Sequence, residues 1–154
     1  MQTIIDDELT NHLNVIDVMP SSSDLDLATQ SSERELHIIT YNAQSLMSDV
    51  RLDLLLTELS DISWDVVVIT ETWREATREY FVLACGHSFY GSGGTRGACG
   101  VGVLVNKRWA SHNFTAINER LCLLDLVLQL YELRIIGMYM PQVSCPDEKV
   151  EEIY

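Results

Sequence analysis

The fold of this chain is decided by residues 64–73, Trp-Asp-Val-Val-Val-Ile-Thr-Glu-Thr-Trp. Its centre, residues 66–69, is four consecutive β-branched apolar residues, a pattern typical of a strand buried on both faces in the middle of a sheet. The apolar run stops at Thr70, and Glu71 places a carboxylate directly after the strand. Ligands and metals gather at the carboxyl ends of strands in sheets with helical connections. We therefore predict that Glu71 is paired, solvated or holding a cation.

The residues before this strand predict a strand–helix–strand unit. Residues 36–41, Leu-His-Ile-Ile-Thr-Tyr, indicate a first strand, and residues 50–59 carry leucines at near-helical spacing with Ser48 as the N-cap. The two strands of such a unit lie in one sheet with their carboxyl ends together. Asn42, which follows the first strand, and Glu71 are then expected at equivalent places on the same sheet edge.

The residues after Trp73 predict mainly antiparallel strands. Residues 74–84 indicate a short helix or loop. The glycine-rich segment 91–100 could cradle phosphate with its backbone amides, but no Lys-Ser/Thr follows it, so we favour a flexible hairpin loop. Further strands are predicted over residues 87–90, 101–105, 121–130 and 133–140, the last two joined by a hairpin at residues 131–132. The predicted fold class is α+β with a layered architecture.

Acidic residues are concentrated at the two ends of the 154-residue chain, whose formal net charge is −13. Residues 1–34 hold seven acids and one base, and residues 147–154 hold four acids and one base. We predict a mostly disordered acidic tail with a weak helix over residues 1–34, a folded domain over residues 35–146, and the start of a shortened helix over residues 147–154. The sequence shows no basic patch of the kind that tight duplex binding requires.

Cysteine spacing and hydropathy indicate the cellular compartment of the protein. The four cysteines are widely spaced without a CxxC pair, which favours free thiols in a reducing compartment and leaves one disulfide pair open. The amino-terminal residues lack the features of a signal peptide, and the longest apolar stretch, residues 121–130, is interrupted by Asp125 and Gln129. We expect an intracellular protein, nuclear or cytoplasmic, that does not span a membrane.

Three polar residues are candidates for chemistry at the predicted sheet edge. Glu71 is a candidate ligand for a hard cation such as Mg²⁺. Asn42 offers an amide oxygen as a second metal ligand and two N–H donors that could orient a carboxylate or a phosphate. Tyr139 lies at the end of the last predicted strand and could direct its phenol at a phosphate oxygen. Taken singly, the three residues also fit a strand cap, a turn former and a core tyrosine.

The segments around these residues resemble the endonuclease/exonuclease/phosphatase superfamily, in particular the apurinic-type endonuclease domain of non-LTR retrotransposons and host proteins derived from them. The three motifs are Thr-Tyr-Asn-Ala-Gln-Ser-Leu at residues 40–46, Ile-Thr-Glu-Thr-Trp at residues 69–73 and Gly-Met-Tyr-Met-Pro at residues 137–141. The resemblance implies a four-layer α/β sandwich that cleaves phosphodiesters with Mg²⁺ or Mn²⁺. It also implies that Glu71 binds the metal, that Asn42 is the asparagine of the first motif, and that Tyr139 lies near the scissile phosphate.

The sequence departs from the family pattern at its end. The Asp-x-Asn and Ser-Asp-His motifs of the family follow the Tyr-x-Pro segment, and the sequence stops before both. None of the four histidines, His12, His37, His87 and His112, lies in a matching context. We therefore expect a partial sandwich, incomplete at its carboxyl end, that is inactive alone and binds the metal weakly, whereas the intact family domain would act on DNA.

Two other functions stay open from the sequence. A truncated sandwich would leave one sheet face uncovered, and a non-catalytic module could bind a protein partner through that face. A small-molecule phosphatase of the same superfamily is the other alternative.

Overall fold

Two β-sheets and one α-helix make up the described part of the chain. The computed structural model describes the backbone of residues 13–18, together with residues 35–94, 98–110, 112–128 and 131–140. The elements are β1 (Leu13–Val18), β2 (Leu36–Asn42), α1 (Asp49–Leu59), β3 (Val66–Thr70), β4 (Glu79–Val82), β5 (Ser88–Ser92), β6 (Val101–Val105), β7 (His112–Asn118), β8 (Leu121–Val127) and β9 (Glu132–Met138). The large sheet has the order β1-β2-β3-β6-β5-β4, and the small sheet has the order β7-β8-β9.

The predicted strand–helix–strand unit is confirmed at the centre of the large sheet. β2 and β3 pair in parallel, in a register that sets Ile38 opposite Val66 and Asn42 opposite Thr70. The remaining pairs of the large sheet are antiparallel. The general α+β class is therefore confirmed, and the carboxyl ends of β2 and β3 lie side by side.

The strand β3 is buried on both faces, as its apolar run predicts. Val66 and Val68 pack in the core between the two sheets, whereas Val67 and Ile69 pack in a second core beneath α1. Helix α1 contributes a leucine at every third or fourth position to that second core, namely Leu52, Leu55 and Leu59. The described residues thus form three layers, with α1 on one face of the large sheet and the small sheet on the other.

The prediction of a disordered or weakly helical tail is wrong for residues 13–18. These residues form β1, which pairs antiparallel with β2 from Leu13 opposite Tyr41 to Val18 opposite Leu36. The segment Leu-Asn-Val-Ile-Asp-Val is rich in β-branched residues, and the open edge of β2 offers backbone groups that a strand can satisfy. The rest of the predicted tail and the predicted helix start over residues 147–154 lie outside the described residues.

Two other strands differ from the sequence prediction. Part of the segment 74–84, predicted as a helix or loop, is the edge strand β4, paired with β5. Strand β7 was not predicted, because its sequence His-Asn-Phe-Thr-Ala-Ile-Asn lacks a clean apolar alternation. Its pairing with β8 and the packing of Phe114 on Tyr90, with ring centroids 5.0 Å apart, supply the stability that the local sequence does not.

The described residues include three of the four cysteines. No disulfide joins Cys85, Cys99 and Cys122. Burial raises the pKa of Cys122 to about 12, which keeps that thiol neutral. No helix in the described part of the chain combines the length and the apolar content needed to cross a membrane.

Candidate functional site

The carboxylate of Glu71 is held by Asn42 from the neighbouring parallel strand. The Asn42 Nδ2 donates a hydrogen bond to Glu71 Oε1 over 3.0 Å. The register between β2 and β3 brings the two side chains together, because Asn42 lies opposite Thr70 and Glu71 is the first residue after β3. Both side chains are partly buried, so the amide contact fixes the carboxylate at the sheet edge.

Tyr139 reaches the same carboxylate from the small sheet. The side chain of Tyr139 interacts with Glu71, and the pKa of Tyr139 is raised, first by burial and then by this interaction. The phenol therefore stays protonated at neutral pH and acts as a donor. The structure brings together the three residues that the sequence motifs indicated, at the mouth of the space between the two sheets.

The amide of Asn42 is oriented as a positioning group. Its oxygen Oδ1 accepts the backbone N–H of Gln44 at 3.3 Å, while its nitrogen faces Glu71. Of the two roles predicted for Asn42, this geometry shows the orientation of a carboxylate. Direct ligation of a metal by Asn42 stays a prediction.

The backbone around the site adopts conformations that L-residues rarely take. The non-glycine residues with positive φ among the described positions all lie in the segments that follow β2, follow β3 or precede β6. They are Gln44 (44°), Ser45 (105°), Glu71 (55°), Trp73 (55°) and Cys99 (65°). Such backbone strain concentrates at functional sites, where the surrounding structure holds it in place.

Backbone hydrogen bonds hold these strained segments together. Ser45 N–H donates to the Glu71 carbonyl at 2.9 Å, which extends the β2–β3 pairing past the strand ends. On the other side, Thr72 N–H donates to the Gly100 carbonyl at 3.1 Å, and Trp73 N–H to the Cys99 carbonyl at 2.9 Å. Glu71 is therefore fixed from both neighbouring segments before its side chain makes any contact.

Arg120 is a residue of this site that no sequence motif indicated. Its guanidinium carbon lies 5.3 Å from the ring centroid of Tyr139, and its carbonyl accepts the Tyr139 N–H at 2.8 Å. The buried Nη1 of Arg120 has no hydrogen-bond partner among the described residues. Arg120 lies in the turn between β7 and β8. Because the sequence did not predict β7, it could not place Arg120 at the site.

Gly100 allows the segment after β3 to approach β6. Its φ is +84°, and a Cβ built on it would lie 2.3 Å from the Thr72 Oγ1, an atom of a fully buried side chain. We expect Gly100→Ala to lower the free energy of unfolding by about 3 kcal/mol, because the strained φ and the clash add. Urea denaturation followed by tryptophan fluorescence measures this loss.

Gly86 provides the matched control for Gly100. Its φ is +90°, yet a Cβ there would meet only the flexible Lys107 side chain, at 3.3 Å. Gly86→Ala should therefore cost about 1–2 kcal/mol, the conformational part alone. Equal losses from the two variants would contradict the close packing of Gly100 on Thr72.

The site offers few protein ligands to a metal. No group of three or more His, Cys, Asp or Glu side chains in the described residues is arranged to hold a metal ion. Mg²⁺ is usually bound by one or two carboxylates, with water and substrate phosphate completing its shell. An ionised carboxylate offers about four lone-pair positions, so Glu71 retains capacity for an ion beside the hydrogen bond from Asn42.

Comparison with known proteins adds no relative to this description: no protein-family model matches the chain, and no curated protein matches it.

Proposed function

We propose that this chain carries the metal- and phosphate-binding part of a magnesium-dependent phosphodiesterase site that acts on nucleic acid, of the type found in retroelement endonucleases. The observation that carries the proposal is the convergence of Asn42 and Tyr139 on the carboxylate of Glu71. Convergence of an acid, an amide and a phenol on one sheet edge suits a divalent ion shared with a phosphodiester. The four-layer sandwich that the family resemblance implies, with this chain forming part of it, belongs to this proposal.

Each side chain has a distinct part in the proposed site. Glu71 would hold Mg²⁺ or Mn²⁺, and the ion would supply positive charge to a phosphate oxygen. Asn42 keeps the carboxylate in place through its Nδ2. Tyr139 stays protonated and can turn its O–H from Glu71 to a phosphate oxygen when one is bound.

Arg120 completes the electrostatics of the proposed site. The neighbouring Glu71 is negative, and a phosphodiester adds further negative charge, so binding needs a cation besides the metal. The unpaired Nη1 of Arg120 lies beside Tyr139 and supplies a donor that is already desolvated. We assign the activation of water to no described residue. His37 is the second residue of β2, the His87 ring lies 4.7 Å from that of Trp64 at a tilt of 53°, and His112 hydrogen-bonds Tyr90.

The proposal predicts nucleic-acid binding that depends on Mg²⁺. A short fluorescein-labelled oligonucleotide, titrated with the protein and followed by anisotropy, should bind more tightly in Mg²⁺ than in EDTA. Glu71→Gln should abolish that difference, since the neutral amide is a poor magnesium ligand, and Tyr139→Phe should reduce it several-fold. A magnesium-dependent gain that survives Glu71→Gln would refute the site, as would magnesium-dependent nicking that survives Glu71→Ala.

A second candidate function is a non-catalytic module that binds a protein. The outer face of the small sheet exposes apolar side chains, including Ile136 at 59%, Met138 at 48% and Val127 at 48% of their full area. Exposed apolar patches on a sheet favour protein contact. Sedimentation velocity would test this face. A concentration-dependent oligomer that Ile136→Lys dissociates favours the module, and a wild-type monomer at all concentrations argues against self-association through it.

A further inference from the structure

Three aromatic rings form a stack that runs from the core to the open edge of the large sheet. Phe114 is buried, and its ring lies 5.0 Å from that of Tyr90. The ring of Tyr90 in turn stacks on that of Tyr80 at 4.8 Å, with an interplanar angle of 23°. Tyr80 lies on β4, the edge strand, and 57% of its area is exposed. Because Tyr90 covers one face of the Tyr80 ring, the exposed area belongs mainly to the opposite face and the ring edge.

Hydrogen bonds hold the ring of Tyr90, on which the exposed ring of Tyr80 stacks. His112 Nδ1 lies 2.8 Å from the Trp109 carbonyl, which can only accept, so Nδ1 carries the proton of the neutral imidazole. The other nitrogen, Nε2, then accepts the O–H of Tyr90 at 2.7 Å. Burial, and after it the neighbouring Tyr80, raise the pKa of Tyr90, so its hydroxyl stays protonated and remains a donor to His112. The exposed ring of Tyr80 therefore stacks on a ring that is itself held in place.

The stack lies on the same face of the large sheet as the candidate site. Tyr90 packs in the core between the sheets, and Tyr80 is its direct partner across the strand pair. The strand pairing sets Tyr80 in line with Tyr90, Val103 and Val68, three residues before Glu71. Three strand steps across the sheet and three residues along it together correspond to about 17 Å. A few nucleotides of a single strand could connect a phosphate at Glu71 with a base at Tyr80.

We propose that Tyr80 is a stacking platform for an unpaired nucleobase of the strand whose phosphodiester lies at Glu71. The inference deepens the proposed function and rests on it. Base–aromatic stacking requires an accessible, rigid π-face, and the ordered stack under Tyr80 provides one. Stacking also suits a chain with a formal net charge of −13, because it supplies affinity that does not come from phosphate contacts. The ring makes the chain favour single strands, whose bases are free to stack, over duplex.

The test compares oligonucleotide binding by three variants. Tyr80→Ala should weaken binding of a single-stranded oligonucleotide on the order of tenfold. Tyr80→Phe should retain most of the affinity, because it keeps the ring. Tyr131→Ala is the matched control, since Tyr131 is equally exposed, at 57%, but lies at the β8–β9 turn, and it should bind as wild type does.

A base-free strand separates stacking from other contacts. A fluorescein-labelled oligonucleotide of the same length, made of abasic residues, should bind wild type and Tyr80→Ala equally. Equal loss with the normal and abasic strands would overturn the inference, as would unchanged binding by Tyr80→Ala. If Tyr80→Ala instead dissolves a self-association of the chain while oligonucleotide binding persists, the ring belongs to a protein contact at the β4 edge and the inference fails. The magnesium dependence set by Glu71 is read in the same titrations. The metal site and the platform can therefore fail separately.

Discussion

Replacing Asp65 by alanine should lower the free energy of unfolding by about 3 kcal/mol or more. Asp65 is fully buried, and its carboxylate accepts the His37 N–H at 2.8 Å, the Arg108 guanidinium and the Trp109 indole N–H. Its backbone also bonds both neighbouring segments, through the His37 carbonyl and the Asn106 N–H, each at 2.9 Å. Alanine would remove the acceptor of two partly buried N–H donors, the His37 backbone and the Trp109 indole. Partial exposure of Arg108 lets that cation regain water, which keeps the loss near the low end of the range for a broken buried pair.

Two variants make the Asp65 prediction specific. Asp65→Asn keeps an acceptor of the same shape but removes the charge, so its loss should fall between those of wild type and alanine. Asp61→Ala, at an exposed position four residues earlier, should change stability by less than about 0.5 kcal/mol. Urea denaturation gives all three values. If Asp65→Ala lowered the free energy of unfolding as little as Asp61→Ala does, the hydrogen bonds to the Asp65 carboxylate would not stabilise the amino end of β3.

Replacing Arg74 by methionine should cost about 3 kcal/mol, the second large effect. Only 10% of this side chain is exposed, and it lies 5.2 Å above the Phe89 ring. It donates to Glu79 at 2.6 and 3.0 Å, to the Leu46 carbonyl at 2.8 Å and to Asp49 at 2.8 Å. Burial acts to lower the pKa of Arg74, but the hydrogen bonds to Glu79 and Asp49 outweigh it and raise the pKa. Methionine would fill the space and leave Glu79 and the Leu46 carbonyl unpaired.

Arg134 is the control for Arg74, because it also makes two hydrogen bonds to one carboxylate. Its side chain is 61% exposed and donates to Asp125 at 2.6 and 3.0 Å. Surface pairs contribute little, so Arg134→Met should leave the urea midpoint almost unchanged. The Arg74 variant should also weaken metal binding, since Arg74 follows the strained segment of Glu71. Equal stability of the two variants would show that burial does not decide the strength of these pairs.

The central β2–α1–β3 unit could be predicted because its signals are local. The β-branched run at residues 66–69 and the leucine spacing of α1 point to the same arrangement as the structure, including the burial of β3 on both faces. The meeting of Asn42 with Glu71 followed from the parallel pairing alone. The approach of Tyr139 to Glu71 depends on where the small sheet lies. In the sequence, only the family motifs suggested that approach.

What the sequence did not reveal depends on contacts between distant segments. The burial of Arg74 is one example, because Phe81, Phe89 and Glu79 come from strands whose positions the local pattern does not give. Strand β7 is stabilised by its neighbours rather than by its own pattern, and Arg120 was missed with it. The described glycines of segment 91–100 have structural reasons of the same kind. A Cβ on Gly93, for example, would lie 1.8 Å from the Arg74 carbonyl oxygen.

The most direct test of the proposed site is a Mn²⁺ titration of the isotope-labelled protein, followed by paramagnetic broadening of its NMR signals. The side-chain NH₂ signals of Asn42 should broaden at the lowest Mn²⁺ concentrations, because they lie beside the Glu71 carboxylate. Glu71→Gln should shift that broadening to at least tenfold higher Mn²⁺, whereas Glu75→Gln, at an exposed position in the same segment, should not. Broadening that begins elsewhere, or that is equally sensitive to both substitutions, would contradict a metal site at Glu71.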